Sequence, residues 1–144
     1  MKTLLLPTRL STAEDQLRAA CCLLLEKVGL IEKFSALAGE LSYGQQKVLE
    51  IIRTIIANPV LFLFDEPAAG LDPAVKETVG GLIRGLKDQG KTVILIEHDL
   101  GFVRGLCDQV VVLDQGAPIF TGSPEALAGD PLVKDRYLSK GAYL

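Results

Sequence analysis

The sequence predicts an α/β domain in which helices flank a parallel sheet, and three features of its pattern indicate this class. Short, almost wholly apolar runs of strand length occur at 60–64, 92–97 and 109–114. Segments with apolar side chains at helical spacing separate these runs. Glycine or proline stands near most of the junctions. Continuous apolar strands that alternate with helices are typical of a parallel sheet covered on both faces.

The size and composition of the chain exclude several classes of protein. With 144 residues, of which 49% are hydrophobic and 23% charged, it is long and apolar enough to bury a core. Its net charge of −3 and its scattered basic residues predict no nucleic-acid partner. The apolar runs are too short for a membrane span or a signal peptide, so we expect a cytoplasmic protein. The three cysteines lack the spacing of a zinc site.

The first half of the chain predicts two helices. Apolar side chains recur at helical intervals over 11–28, and Gly29 ends that pattern. A second helix is predicted to begin after Ser42, with Gln45 as its partner in a capping box. This helix is expected to end at Asn58, because Pro59 follows and disfavours helical backbone in the residue before it.

The second half of the chain predicts strands separated by helices. The strand at 60–64 is followed by a helix that Asp72 caps and Pro73 begins. That helix carries an apolar stripe and ends near Gly90. Two more buried strands are predicted at 92–97 and 109–114, then an edge strand at 118–122 and two short helical segments, SPEALAG and PLVKDRYL.

The segment GLKDQGKT, residues 85–92, matches the phosphate-binding pattern G-x-x-x-x-G-K-[ST]. A working loop of this kind follows a strand and opens a helix, whose first amides then face the phosphates. Here the order is reversed, because helical residues precede the segment and Thr92 begins an apolar strand. We therefore predict a turn from helix to strand. A small-molecule kinase built on this segment would need a helix after Lys91, which the β-branched and aliphatic residues there disfavour.

Two carboxylates end the first apolar strand in the segment VLFLFDE. Adjacent residues at a strand end point in different directions, so Asp65 can face a metal ion while Glu66 faces a water molecule. Transfer of a phosphoryl group from a nucleotide needs an oxygen ligand for Mg²⁺ and a group that orients or deprotonates the attacking water. Taken alone, the pair is also compatible with an ordinary acidic turn.

His98, the only histidine, directly follows the second apolar strand. If the two strands are neighbours, His98 and Glu66 share one crevice, where the imidazole can hydrogen-bond a terminal phosphate. The segment LSYGQQ places Ser42 as a helix cap, and Gly44 allows a close approach of the backbone. The helix dipole makes that end favourable for an anion. Taken alone, His98 is also compatible with a structural role, and LSYGQQ with a simple cap.

Together and in this order, LSYGQQ, LFLFDEP, AAGLD and EHD resemble the ATP-binding subunit of ABC transporters. LSYGQQ is similar to the family's signature motif, with Tyr43 where glycine is usual. LFLFDE resembles the Walker B strand with its catalytic glutamate, AAGLD the D-loop, and His98 the switch histidine. The resemblance runs from about Leu10 onward. The residues of these motifs are most similar to those of importers of branched-chain amino acids, and urea or amide importers share many of them.

The resemblance implies an incomplete P-loop NTPase-like core. Residues 1–58 would form part of the helical signature subdomain, and 59–144 the C-terminal half of the ATPase core. ATP and Mg²⁺ would be its cofactors, with Asp65 on the metal and Glu66 and His98 catalytic. A second ATPase subunit, paired head to tail, and membrane permease subunits would be its partners at the inner face of the cell membrane. The nucleotide-binding residues that the resemblance implies are Ser42, Tyr43, Gly44, Gln45 and Asp72.

The P-loop, the Q-loop and the adenine-stacking aromatic residue of the family precede the signature helix, and none of them is found in this sequence. The resemblance therefore implies the C-terminal part of an ABC ATPase, with weak ATP binding on its own. The P-loop strand of the family would lie between the strands at 92–97 and 109–114, so two apolar edges would favour self-association. An alternative is a non-catalytic regulatory module that pairs with a complete subunit.

Overall fold

A computed structural model describes residues 8–127 and 129–133, and the chain divides into two compact units. The first unit comprises Met1–Val60 and Leu71–Val79. The second comprises Leu61–Gly70 and Gly80–Leu144. The predicted boundary between residues 58 and 59 lies close to the end of the first of these segments. Most of the terminal segment PLVKDRYL lies outside the described residues.

The first unit is helical. It contains α1 (Thr8–Lys27) and α2 (Tyr43–Ile56), which pack against each other, and short 3₁₀ turns lie between them at Ile31–Lys33 and Ala38–Glu40. Gly29 adopts a left-handed backbone with φ of 71°, and the next amide donates to the carbonyl of Leu25 at 2.7 Å. This hydrogen bond satisfies a carbonyl at the end of α1, as the predicted glycine stop requires.

The predicted caps of the next two helices are confirmed. Ser42 Oγ accepts the amide of Gln45 at 3.3 Å, and Gln45 Oε1 accepts the amide of Ser42 at 3.0 Å. Asp72 Oδ1 accepts the amides of Ala74 and Val75, both at 3.0 Å, at the start of α3 (Pro73–Asp88). α2 ends just before Asn58, whose φ of 49° takes the chain out of the helix.

The second unit contains all four strands of the described residues. β1 (Leu61–Asp65) pairs in parallel with β2 (Thr92–Ile96), and Asp65 stands opposite Ile96. β3 (Val110–Asp114) pairs antiparallel with β4 (Ala117–Gly122). The remaining helices are α4 (Leu100–Leu106), α5 (Pro124–Leu127) and α6 (Pro131–Val133). The predicted edge strand and the parallel pair are thus confirmed.

The prediction that the strands are covered on both faces is wrong for the described residues. Phe62 and Phe64 of β1 are buried, whereas Leu63 on the opposite face is 66% exposed. Ile94 and Ile96 of β2 are 52% and 59% exposed. An apolar strand indicates that both of its faces suit a dry interior, but it does not indicate that the same chain covers them. The strands also form two separate pairs, since no ladder joins β2 to β3 among these residues.

The segment GLKDQGKT forms the predicted turn between α3 and β2. Gly90 has a left-handed φ of 73°, and its amide donates to the carbonyl of Lys87 at 2.8 Å. The amide of Lys91 donates to the carbonyl of Leu86 at 3.0 Å, and β2 begins at Thr92. These bonds close the C-terminus of a helix. The segment presents carbonyl groups of a helix end, which repel rather than bind a phosphate.

Among the described residues, no helix combines the length and the apolar character that crossing a lipid bilayer requires.

Candidate functional site

Glu66 and His98 come together at the carboxyl ends of β1 and β2. Because the two strands are parallel and in register up to Asp65 and Ile96, the residues that follow each strand emerge at the same edge. His98 Nδ1 lies 3.2 Å from Glu66 Oε1. The His98 side chain is 46% exposed and that of Glu66 is 52% exposed, so a ligand in solution can reach both. The predicted proximity of the two residues is confirmed, while their catalytic roles stay predictions.

Glu66 has a left-handed backbone, with φ of 45°. Its amide still donates to the carbonyl of Ile96 at 2.9 Å, and its carbonyl accepts the amide of Ala69 at 3.2 Å. The chain therefore turns sharply away from the sheet directly after the last ladder bond. A left-handed backbone at a residue other than glycine costs on the order of 1–3 kcal/mol, and strained residues of this kind cluster at active sites and switch regions. This conformation supports a functional role for Glu66.

Glu97, which was not among the predicted site residues, links the two strand ends. Its carboxylate is half-buried; Oε1 accepts the amide of Ala68 at 3.0 Å, and Oε2 accepts the amide of His98 at 3.3 Å. Ala68 follows Glu66 by two residues. The signal in the sequence was a carboxylate that ends an apolar strand directly before the only histidine. Its partner at Ala68 could not be read from the pattern, because 29 residues separate the two.

Asp65 is an exposed carboxylate at the end of β1. Within residues 8–127 and 129–133, no three histidine, cysteine or carboxylate side chains are close enough together to hold a metal ion. Mg²⁺ in nucleotide sites is typically bound by one or two carboxylates, with phosphate oxygens and water as the other ligands. A single exposed carboxylate such as Asp65 therefore fits one ligand of such an ion. It does not form a closed metal site.

The other predicted site residues belong to the first unit. The Ser42 hydroxyl, the Gln45 side chain and the Asp72 carboxylate are engaged at helix starts by the hydrogen bonds described above. Tyr43 is 56% exposed. A Cβ atom on Gly44 would lie 3.3 Å from Val75 Cγ2, so the close approach predicted for this glycine is explained by helix packing. These contacts account for the local structure and leave a role in nucleotide binding as a prediction.

Two cavities lie between β2 and β3, and we call this space the β2–β3 gap. One cavity, of about 680 Å³, is lined by all of Thr92–Ile96 and by Val111. The other, of about 270 Å³, is lined by His98 and by Val110–Leu113, and Cys107 lines both. Within the described residues β2 pairs with β1 alone and β3 with β4 alone. The second edge of each strand therefore has no strand partner among these residues.

Comparison with known proteins assigns the family. The family model described as ABC transporter matches residues 3–69. The branched-chain amino acid transport ATP-binding protein BraF of Pseudomonas aeruginosa is 43% identical over 117 residues, which is 81% of this chain. The branched-chain amino acid transport ATP-binding protein LivG of Escherichia coli is 39% identical over 81% of this chain. The chain belongs to the ABC transporter ATP-binding family.

Solved structures place the chain in the same family fold. The ATP-binding cassette MJ1267 in its ADP conformation matches with a TM-score of 0.74 and 31% identity over 85% of this chain. A nucleotide-free ATP-binding cassette of an ABC transporter matches with a TM-score of 0.73 and 31% identity. The ABC family binds ATP. The chain spans about half the length of its curated relatives, 46% of both BraF and LivG, and half of the MJ1267 chain.

Proposed function

We propose that this chain supplies the hydrolytic half of the ATPase that drives an ABC importer of branched-chain amino acids. The contact between Glu66 and His98 at the ends of two parallel strands carries this proposal. In a member of the ABC family, that contact joins a general base to a phosphate-sensing imidazole. The proposed solute is supported by the names of BraF and LivG, which are transport proteins for branched-chain amino acids.

The proposed reaction is the hydrolysis of ATP. A water oxygen attacks the γ-phosphorus, the bond to the bridging oxygen breaks, and ADP leaves with that electron pair. Glu66 orients the water and accepts its proton, and His98 holds Glu66 through Nδ1 and hydrogen-bonds the terminal phosphate. Asp65 would hold Mg²⁺, which neutralises charge on the phosphates when it is bound. The exposure of all three side chains supports their access to a nucleotide.

The first unit contributes to a site on a facing subunit in this proposal. Ser42, Tyr43, Gly44 and Gln45 begin α2, where the helix dipole favours an anion. They would close on nucleotide held by a second ATPase subunit, and Asp72 would lie at the seam between the two sites. The closed pair would drive membrane permease subunits from the cytoplasmic face. The exposed side chain of Tyr43 supports a contact outside the unit.

The phosphate-binding half of the ATPase would come from a separate segment. The segment GLKDQGKT closes a helix C-terminus and presents no helix N-terminus to an anion. We therefore propose that the chain corresponds to the C-terminal part of a family ATPase and binds Mg-ATP weakly by itself. Calorimetric titration of the chain with Mg-ATP is expected to show binding much weaker than micromolar. A micromolar dissociation constant corresponds to about −8 kcal/mol. Micromolar affinity of the chain alone would contradict this part of the proposal.

Reconstitution tests the proposed function. The chain is mixed with a separately expressed N-terminal half of a family ATPase such as BraF, and phosphate release from Mg-ATP is followed. We expect turnover in the mixture and none with either half alone. A mixture that forms a complex and binds Mg-ATP without hydrolysing it would contradict the proposal. Binding of the chain to an intact family subunit, again without added turnover, would instead identify a regulatory module.

A further inference from the structure

We propose that Glu97 is a positioning residue that holds Glu66 and His98 in contact. The proposal rests on the proposed function for its catalytic consequence and on the geometry of the strand ends for its structural part. One carboxylate accepts two backbone amides, that of Ala68 through Oε1 and that of His98 through Oε2. Ala68 lies on the segment that carries Glu66. A single side chain therefore spans the two segments whose side chains form the candidate site.

The left-handed backbone of Glu66 explains why such a restraint is needed. A strained conformation persists only where surrounding contacts hold it in place. The amide of Glu66 is held by Ile96, and its carbonyl accepts the amide of Ala69. Ala68 is only 2% exposed, so its amide cannot turn to water without a local opening of the structure. The Glu97 carboxylate gives that amide a charged acceptor and so holds the turn that aims Glu66.

The contact with the amide of His98 completes the restraint on the second segment. His98 is exposed, so packing alone does not fix its imidazole. A carboxylate that holds the His98 backbone beside the Ala68 turn limits the distance over which the imidazole and Glu66 can separate. Loss of Glu97 is therefore expected to loosen both sides of the contact between Nδ1 and Oε1.

Two substitutions of Glu97 give a graded test. Glu97→Gln keeps the shape and one acceptor oxygen, but its NH₂ group cannot accept the second amide. Glu97→Ala removes both acceptors. Because His98 is the only histidine, the ¹⁵N resonances of its imidazole are unambiguous. We expect these resonances to move towards those of a solvated histidine, and exchange of the Ala68 amide to accelerate, less in the glutamine variant than in the alanine variant.

Glu40→Gln is a matched control. The Glu40 carboxylate also accepts a backbone amide, that of Leu37 at 3.1 Å, but in the first unit. This variant is expected to leave the His98 resonances and the Ala68 exchange rate unchanged. Protection of the β1 and β2 amides verifies that each variant remains folded. If folded Glu97→Gln has the same His98 resonances and the same Ala68 exchange rate as the wild type, the proposal is overturned.

The catalytic consequence is measured in the reconstituted mixture. Glu97→Gln is expected to lower kcat about 10- to 100-fold through misplacement of Glu66. KM for Mg-ATP should change much less than kcat, since the other half supplies most of the phosphate contacts. An unchanged kcat in an active mixture would overturn the positioning role. If wild-type chain gives no turnover, the proposed function fails, and the NMR comparison on the chain alone still decides whether Glu97 holds the contact.

Discussion

At the residue scale, the candidate residues are held by two kinds of hydrogen bond, those to amides within three residues and one to an amide 29 residues away. Ser42 and Asp72 follow capping patterns that extend over three residues, and the structure shows both caps. The bond between Glu97 and Ala68 spans 29 residues, and no local pattern encodes it. The left-handed backbone of Glu66 depends on the same long-range contacts. Local chemistry therefore located the candidate site residues but did not reveal what holds them.

The cap at Ser42 gives a prediction about stability. Ser42→Ala leaves the amide of Gln45 without its acceptor, so we expect the free energy of unfolding to fall by about 1 kcal/mol. Ser42→Asn is the control, because asparagine caps helices as well as serine does. Urea titration followed by far-UV circular dichroism measures both. Equal destabilisation by the two variants would show that the hydroxyl acts by something other than capping.

At the element scale, the order of helix and strand along the chain decided the meaning of one motif. GLKDQGKT lies between a helix and a strand, in the opposite order to a phosphate-binding loop, and the predicted turn is confirmed. The apolar character of β1 and β2 correctly predicted strands but wrongly predicted cover on both faces. Strand propensity is local, whereas cover is supplied by other elements.

The turn at Gly90 gives a paired prediction. Gly90→Ala is expected to lower the free energy of unfolding by roughly 1–2 kcal/mol, because alanine is disfavoured in the left-handed region. A Cβ there would meet no atom within 4 Å, so the loss is conformational and not steric. Lys91→Ala, the matched control, should keep both the stability and the turnover of the reconstituted mixture. Loss of turnover in Lys91→Ala would show instead that this segment binds phosphate.

At the scale of the whole molecule, the main consequence of the fold is that β2 and β3 each keep one edge without a neighbouring strand in the part of the chain that the structure describes. Ile94, Ile96 and Val111 are more than half exposed on these strands. Exposed apolar strands with free edges favour pairing with another chain. We therefore propose that copies of this chain associate through the β2–β3 gap when no complementary half is present.

Cys107 reports whether the β2–β3 gap is filled, since it lines both cavities. Burial raises the pKa of the Cys107 thiol. The Lys87 ammonium lowers this pKa in part, and the Asp108 carboxylate raises it further. The thiolate is the reactive form, so alkylation should be slow at neutral pH and should accelerate as the pH rises towards that raised pKa. In a Cys21→Ser, Cys22→Ser variant, we expect alkylation to slow further as protein concentration increases.

Sedimentation velocity on the same variant provides the comparison for the alkylation rates. Slower alkylation should coincide with the appearance of a larger species. A protein that stays monomeric at all concentrations would contradict association through the β2–β3 gap. An oligomer in which Cys107 reacts as fast as in the monomer would contradict it as well.

The most direct test of the central claim is a single-turnover measurement on Glu66→Gln in the reconstituted mixture. Mg-ATP binding and phosphate release are followed together for wild-type and variant chains. If Glu66 is the general base of a site completed by the other half, the variant should bind Mg-ATP as wild type does and release phosphate at least about 100-fold more slowly. Phosphate release by Glu66→Gln at the wild-type rate would contradict the account.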